Sequence, residues 1–288
     1  MRIIPESELI INSDGSVFHL HIKPEQLSDK IIMMGDPDRV TQTAKFFESI
    51  ECNVQSREFH TVTGIYKGKR ITALSHGIGT DNIDIVLTEL DALANVDFKT
   101  RQVKSEFKQL EMVRVGTSGG LQPNCPVGSY VVAEKSMGFD SVLHYYENSQ
   151  EARDMDFEEE FMKYVNWSSA NSRPYVVDSN EELVQKIGHD MIKGVTISAV
   201  GFYGPQGRHV RLPLAYPDLN SKIESFRYQE HTITNYEMES SAIAGLSKMM
   251  GHKAMTVCAI IANRVALESN ANYKGSTEDL LQIVLERI

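Results

Sequence analysis

The sequence predicts an α/β protein, and three observations carry that expectation. Short apolar runs stop at glycine-containing turns, helical spacing of apolar residues follows several of those turns, and a length of 288 residues is common for a single domain of this class. The first run, Lys30 to Met34, reads as a buried strand and leads into Gly35-Asp36-Pro37-Asp38-Arg39-Val40. A helix is predicted there, with Asp36 as its N-cap and Pro37 in the first helical position, where the missing N–H is harmless. Gly35 then lies beside a helix N-terminus, an end that attracts anions.

A second strand, Ile71 to Ser75, passes through His76-Gly77-Ile78-Gly79-Thr80 into a helix over Asn82 to Asn95, whose Ile83, Val86, Leu87, Leu90, Leu93 and Ala94 fall on one face. Lys99 to Glu111 is charged and lacks strong periodicity, so it reads as a surface insertion. Met112 to Val115 is a third strand ending in a glycine-rich turn, Gly116-Thr117-Ser118-Gly119-Gly120, and Tyr130 to Ala133 is a fourth. Glu147 to Glu160 is acidic and is expected to be solvated. Val195 to Val200 and Met255 to Ile261 read as strands, and Met238 to Met250 as a helix with Ala242, Leu246 and Met249 on one stripe. Ser276 to Ile288 closes the chain as an N-capped helix burying Leu281, Val284, Leu285 and Ile288. With no repeat, linker or low-complexity segment visible, residues 1–288 are expected to form one domain.

Composition narrows the function. A formal net charge of −10 argues against a nucleic-acid surface, while leaving room for a basic pocket that takes a small anion. No apolar stretch is long enough for a membrane span, and the start MRIIPESELI lacks a signal-peptide pattern, so a cytoplasmic location is expected. Cys52, Cys125 and Cys258 are odd in number and widely spaced, which fits reduced structural thiols.

Several motifs are weak when taken singly. Gly77 to Gly79 lacks the third glycine of a dinucleotide fingerprint and reads as a tight strand-to-helix turn. Gly116 to Gly120 matches the GxSxG elbow formally, but Pro123 and Pro126 forbid the helix that an elbow needs, which leaves backbone N–H groups and two hydroxyls for a ligand. His19 and His21 lie two apart on an expected extended segment without a complementary ligand, so no metal is predicted. Glu237-Met238-Glu239 by itself is an acidic first helical turn. Arg39 and Arg114 stand at ends of buried strands, where α/β sites form, and a guanidinium fork suits a phosphate dianion.

Six motifs in chain order change the picture: Ser16-Val17-Phe18-His19-Leu20, Gly35 to Val40, Ser56-Arg57-Glu58-Phe59, Arg114 to Gly119, Phe202-Tyr203-Gly204-Pro205-Gln206-Gly207-Arg208, and Asn235-Tyr236-Glu237-Met238-Glu239-Ser240. Together they resemble the uridine phosphorylases of the nucleoside phosphorylase family, from about His19 to the last helix. The resemblance implies a three-layer αβα fold around a mixed, partly barrel-like sheet, and dimers assembled into a hexamer. It implies phosphorolysis of uridine, or of a close pyrimidine relative, with inorganic phosphate as co-substrate and no other cofactor.

By the same resemblance Gly35, Arg39, Arg114 and Thr117 bind phosphate, joined by Arg57 from a neighbouring subunit. His19, from that neighbour, would stand near the ribose 5′-hydroxyl, with Met238 and Glu239 on the ribose. Gln206 and Arg208 would read the uracil edge, Phe202 would pack on its face, Ser118 and Gly119 would line the base site, and Arg264 would support it from behind. Arg114, Thr117, Gln206, Arg208 and Glu239 would carry the catalysis. The resemblance also bears on purine nucleoside phosphorylases, which protonate the base with an aspartate; Asn263 stands at that position and an amide cannot donate such a proton. Some members bind a monovalent cation between subunits through a glutamate matching Glu58, but Gly79-Thr80-Asp81-Asn82 departs from their turn, which leaves the ion open. A hydrolase of the same fold and a nucleoside-binding protein without activity are the rival functions, and no sequence feature separates uridine from deoxyuridine or thymidine.

Overall fold

The computed structural model describes residues 2–266, 268–270 and 274–288. Strand β1 (Lys30–Met34) shows how the layers arise. Ile31 and Met33 join an apolar cluster with Ile83, Leu87 and Leu90, while Ile32 and Met34 join another with Val40, Leu281 and Val284. A strand covered on both faces has no polar side to display, which is why its sequence does not alternate.

Helix α1 (Pro37–Ala44) begins as expected, with the Asp36 carboxylate accepting from the Asp38 N–H. Strands β2 (Ser49–Ser56), β3 (Phe59–Tyr66) and β4 (Lys69–Ser75) form an antiparallel meander, followed by α2 (Thr80–Asn95) and the short pair β5 (Val96–Asp97) and β6 (Gln102–Val103). The chain continues through β7 (Glu111–Gly120), β8 (Tyr130–Gly138), α3 (Met155–Val165), β9 (Tyr175–Asp178), α4 (Glu181–Gly188), β10 (Ile192–Ser198) and α5 (Leu219–Ser225). It ends with β11 (Arg227–Tyr228), β12 (His231–Glu237), α6 (Ser240–Met250), β13 (Lys253–Asn263), β14 (Glu268–Ser269) and α7 (Lys274–Arg287).

Among the described residues the main sheet runs β2-β3-β4-β1-β7-β13-β8-β10-β12-β11, and a further β7–β12 pairing closes β7, β13, β8, β10 and β12 into a ring. Parallel pairs (β1–β4, β1–β7, β7–β13, β8–β10, β10–β12) mix with antiparallel ones (β8–β13, β7–β12). Helices α2 and α6 cover one side, and α1, α4 and α7 the other, as the three-layer, partly barrel-like expectation requires. A third cluster packs Phe157 and Phe161 of α3 on Ile223 of α5 and on Phe226.

Six local expectations need correction. The predicted turn at Gly116 to Gly120 is strand: a Cβ on Gly116 would run into the Arg114 guanidinium, and one on Gly120 would stand 2.7 Å from the Cys125 carbonyl oxygen. Those glycines give room to neighbours instead of reversing the chain. Helix α6 starts at Ser240 because Glu237 still belongs to β12, and α7 starts at Lys274, so Ser276 lies inside its first turn instead of at its cap. The acidic segment is only partly solvated, since α3 turns Glu158 fully inward onto Arg153. His19 and His21 do not share an extended face, because the chain turns there and His21 has φ 53°. The 99–111 segment is largely exposed but carries β6 and returns to the core at Leu110.

No helix among the described residues is long and apolar enough to cross a membrane. Cys52, Cys125 and Cys258 are free and buried.

Candidate active site

The turns after β1 and β4 meet the end of β12 around a cavity of about 880 Å³. Packing of the first two turns is tight: a Cβ added to Gly35 would stand 3.1 Å from the Gly77 carbonyl oxygen. Glycine is required at Gly77 and Gly79 for a second reason, their φ values of 72° and 93°. Gly35 and Arg39 line the cavity beside the N-terminus of α1, and Arg39 donates to the Val115 carbonyl at 3.2 Å.

Arg114, on β7, is the centre of the charge arrangement. Its Nη1 lies 2.9 Å from a Glu237 carboxylate oxygen, its Nη2 pairs with Glu239, and its Nε donates to His76 Nε2 at 3.3 Å. All three charged side chains are buried, with 5%, 1% and 6% of Arg114, Glu237 and Glu239 exposed. The two glutamates divide their work. Glu237 accepts from the Glu239 and Ser240 N–H groups at 2.8 and 3.0 Å and from the Ser198 hydroxyl at 2.6 Å, so it caps α6 from below. Glu239 turns the other way, accepting from the Gly79 N–H at 2.7 Å. The acidic-turn reading therefore describes Glu237 only in part and Glu239 not at all.

Burial raises the Glu239 pKa, Arg114 pulls it down, and Glu237 pushes it up again; the net shift is upward. Burial likewise works against the Arg114 charge, yet the two carboxylates outweigh it and keep the guanidinium protonated. Two carboxylates around one cation outweigh the burial of Arg114, whereas at Glu239 burial outweighs the pull of the single guanidinium. Burial, then Arg114, then Arg39 drive His76 well below the ordinary histidine range, so its ring is neutral.

The opposite side of the cavity is built by the segment after β10. Gln206 is buried in a short 3₁₀ turn, Gly204–Gln206, and its Oε1 accepts from Arg208 Nη1 at 2.6 Å. Arg208 also donates to the Phe202 carbonyl, and its guanidinium carbon lies 3.7 Å from the centre of the Phe202 ring. Burial, with Arg264 nearby, lowers the Arg208 pKa to about 10, which still leaves it charged near neutrality. Thr117, Ser118 and Gly119 line the wall between these halves, and Met238 lines it next to Glu239.

Three expected site residues stay outside this cavity. Arg57 sits on the exposed turn between β2 and β3 at φ 54°, although its neighbour Glu58 reaches the cavity wall. His19 is held by Glu89 of α2, whose carboxylate takes the ring Nδ1 at 2.6 Å and the His19 and Leu20 N–H groups. Arg264 lies behind the wall, its guanidinium 5.3 Å over the Tyr236 ring.

Sequence reasoning missed Glu237 and His76; an acid just before a helix is the only local signal for the former. Asn263 has a role that its sequence does not betray. It donates to the Gln122 and Cys125 carbonyls at 3.0 and 2.7 Å and accepts from the Val265 and Ala266 N–H groups at 2.9 Å each, clamping two loops instead of facing the cavity.

A buried cation between two carboxylates thus faces an amide–guanidinium pair across one cavity of an α/β fold, an arrangement of convergent polar groups typical of an enzyme site. The chain belongs to the Phosphorylase superfamily, whose sequence model matches residues 29–288. It is 27% identical over 276 residues to a uridine phosphorylase of Haemophilus influenzae, covering 94% of this chain and 96% of the relative. A uridine phosphorylase of Thermococcus kodakarensis is 27% identical over 261 residues, covering 88% and 80%. The crystal structure of a Trypanosoma brucei nucleoside phosphorylase, which shows uridine phosphorylase activity, superposes with a TM-score of 0.87 at 28% identity over 97% of this chain and 98% of that one.

Proposed function

We propose that this chain catalyses reversible phosphorolysis of uridine to uracil and ribose 1-phosphate. The observation that carries the reading is the convergence on one cavity of an anion half, with Gly35, Arg39, Arg114 and Thr117, and a base half, with Phe202, Gln206 and Arg208; Met238 and Glu239 lie with them on the same wall. The uridine phosphorylases among the relatives support it.

The chemistry follows from where charge develops. As the bond from C1′ to the base breaks, the sugar becomes cationic, phosphate attacks from the opposite face, and uracil departs as an anion. Arg39 and Arg114 hold the dianion near C1′, and the Glu239 carboxylate accepts from the ribose 2′- and 3′-hydroxyls and favours positive charge on the ring. Gln206 and Arg208 stabilise the leaving anion more than the neutral substrate, which lowers the barrier and not merely KM. Ser118 and Gly119 complete the base wall, and Arg264 backs it through Tyr236.

The exposed Arg57 and the half-buried His19, both outside the cavity of their own chain, support a site completed by a second copy in a homo-oligomer, a dimer unit within a hexamer. The buried free thiols suit a reducing compartment, and the reading takes the reaction to be cytoplasmic. A purine reading lacks its acid, because all four hydrogen-bonding positions of the Asn263 amide are spent on backbone.

The test is uracil release from uridine with and without inorganic phosphate, with inosine as comparison. Phosphate-dependent cleavage of uridine alone is expected. Equal release without phosphate would make the protein a hydrolase, and cleavage of inosine alone would overturn the assignment of Gln206 and Arg208.

A further inference from the structure

His76 closes β4 and is fully buried, its N–H donating to the Met34 carbonyl at 2.9 Å. Its ring lies under the anion half of the cavity: a Cβ added to Gly35 would stand 3.8 Å from His76 Cε1 and 3.8 Å from an Arg39 nitrogen. On its other side, Nε2 receives the Arg114 Nε–H at 3.3 Å.

We propose that His76 is a positioning residue for Arg114, an uncharged acceptor whose Nε2 fixes the plane of the guanidinium that faces the anion. The inference rests on Arg114 being a phosphate ligand, and it does not depend on uridine being the nucleoside.

The need for such an acceptor follows from the other partners of Arg114. Glu237 and Glu239 grip the two terminal nitrogens, and each offsets the charge that an anion requires. In the proposed reaction Glu239 also serves the sugar, so its hold on Arg114 changes during turnover. A third anchor on Nε resists rotation about the guanidinium axis when the terminal nitrogens exchange a carboxylate for phosphate. Imidazole provides it without further negative charge, whereas an acid at residue 76 would surround one cation with three carboxylates. The lone pair on Nε2 exists only in the neutral ring, whose proton then sits on Nδ1. Burial, Arg114 and Arg39 all favour that neutral state.

The experiment is titration calorimetry of inorganic phosphate into the intact wild-type protein and into His76→Leu and His76→Gln. Leucine fills space without an acceptor; the glutamine Oε1 can accept from Nε. Loss of one hydrogen bond to a charged group predicts phosphate affinity about 10- to 100-fold weaker in His76→Leu, returning to within about 5-fold of wild type in His76→Gln. In turnover, KM for phosphate rises while KM for uridine stays within about twofold, because the base contacts lie across the cavity. Equal phosphate affinity in all three proteins, a glutamine variant as weak as the leucine one, or a matching rise of both KM values would each overturn the assignment. If His76→Leu does not fold, His76→Asn replaces it: its amide is too short to reach Nε, so it should bind phosphate less well than His76→Gln, and parity between those two counts against the proposal. Wild-type protein that binds phosphate but leaves uridine intact would sink the proposed reaction, and the calorimetric comparison would still decide the role of His76.

Discussion

Replacing Arg114 with methionine is expected to lower stability in a pH-dependent way. Methionine occupies much of the arginine volume but leaves Glu237 and Glu239, 1% and 6% exposed, without their shared cation. Stranding buried carboxylates costs about 3–5 kcal/mol. An unfolding entropy of about 2.1 cal/mol/K per residue over the 288 residues gives about 0.6 kcal/mol/K, so the melting temperature should fall by about 5–8 °C at pH 8. The sign of the pH dependence follows from Glu239, whose folded pKa already lies above the ordinary carboxylate value and rises further once Arg114 no longer pulls it down. An acid raised in the folded state retains its proton there more tightly than in the unfolded chain, so the deficit is least near the unfolded pKa and grows as pH climbs through the folded one. Thermal melts of both proteins without phosphate, from pH 5 to pH 8, should therefore show a gap that narrows on acidification. Adding Glu237→Gln and Glu239→Gln to the variant should close part of the gap at pH 8. A gap that is constant across the range, or under about 1 kcal/mol, would refute the claim that Arg114 is the compensating charge for both glutamates.

Asn263→Asp should destabilise by about 2–4 kcal/mol, since a carboxylate cannot donate to the Gln122 and Cys125 carbonyls, and it should confer no cleavage of inosine; melting curves and chromatography of released base check both. Arg208→Ala should lower kcat and kcat/KM for uridine about tenfold or more with KM for phosphate unchanged, because its partners Gln206 and Phe202 are both on the base side and its charge acts mainly on the leaving anion. Glu158→Ala should lower stability by about 3–5 kcal/mol in urea melts by stranding the buried Arg153 and the Val176 N–H, whereas Glu160→Ala on the exposed face should change it by under about 0.5 kcal/mol.

What could be foreseen from sequence was whatever depended on neighbours in the chain. The apolar run of β1, the Asp36–Pro37 start of α1 and the stripe of α2 are local patterns, and the structure repeats them nearly residue for residue. Gly116 to Gly120 misled because glycine serves turns and close approaches alike, and the neighbours that crowd it, such as Cys125 and Cys258, are known only once the sheet is assembled. The division of labour between Glu237 and Glu239 was hidden for the same reason: both pair with Arg114, and which of them also caps α6 and which reaches back to the Gly79 N–H depends on segments more than a hundred residues earlier. Asn263 shows the limit most plainly. Its position was visible, but its four backbone partners come from two loops whose meeting no spacing rule announces.

The ring of strands is closed between β7 and β12 by only two residue pairs, Asn235 with Gly120 and Tyr236 with Gly119. Arg114 stands on one side of this seam and Glu237 and Glu239 on the other, so their ion pairs act as a charged rivet across the shortest run of stitching in the barrel. A ligand that draws the arginine toward itself loosens that rivet as it binds. The closure of the barrel and the charge of the cavity therefore rest on the same three side chains.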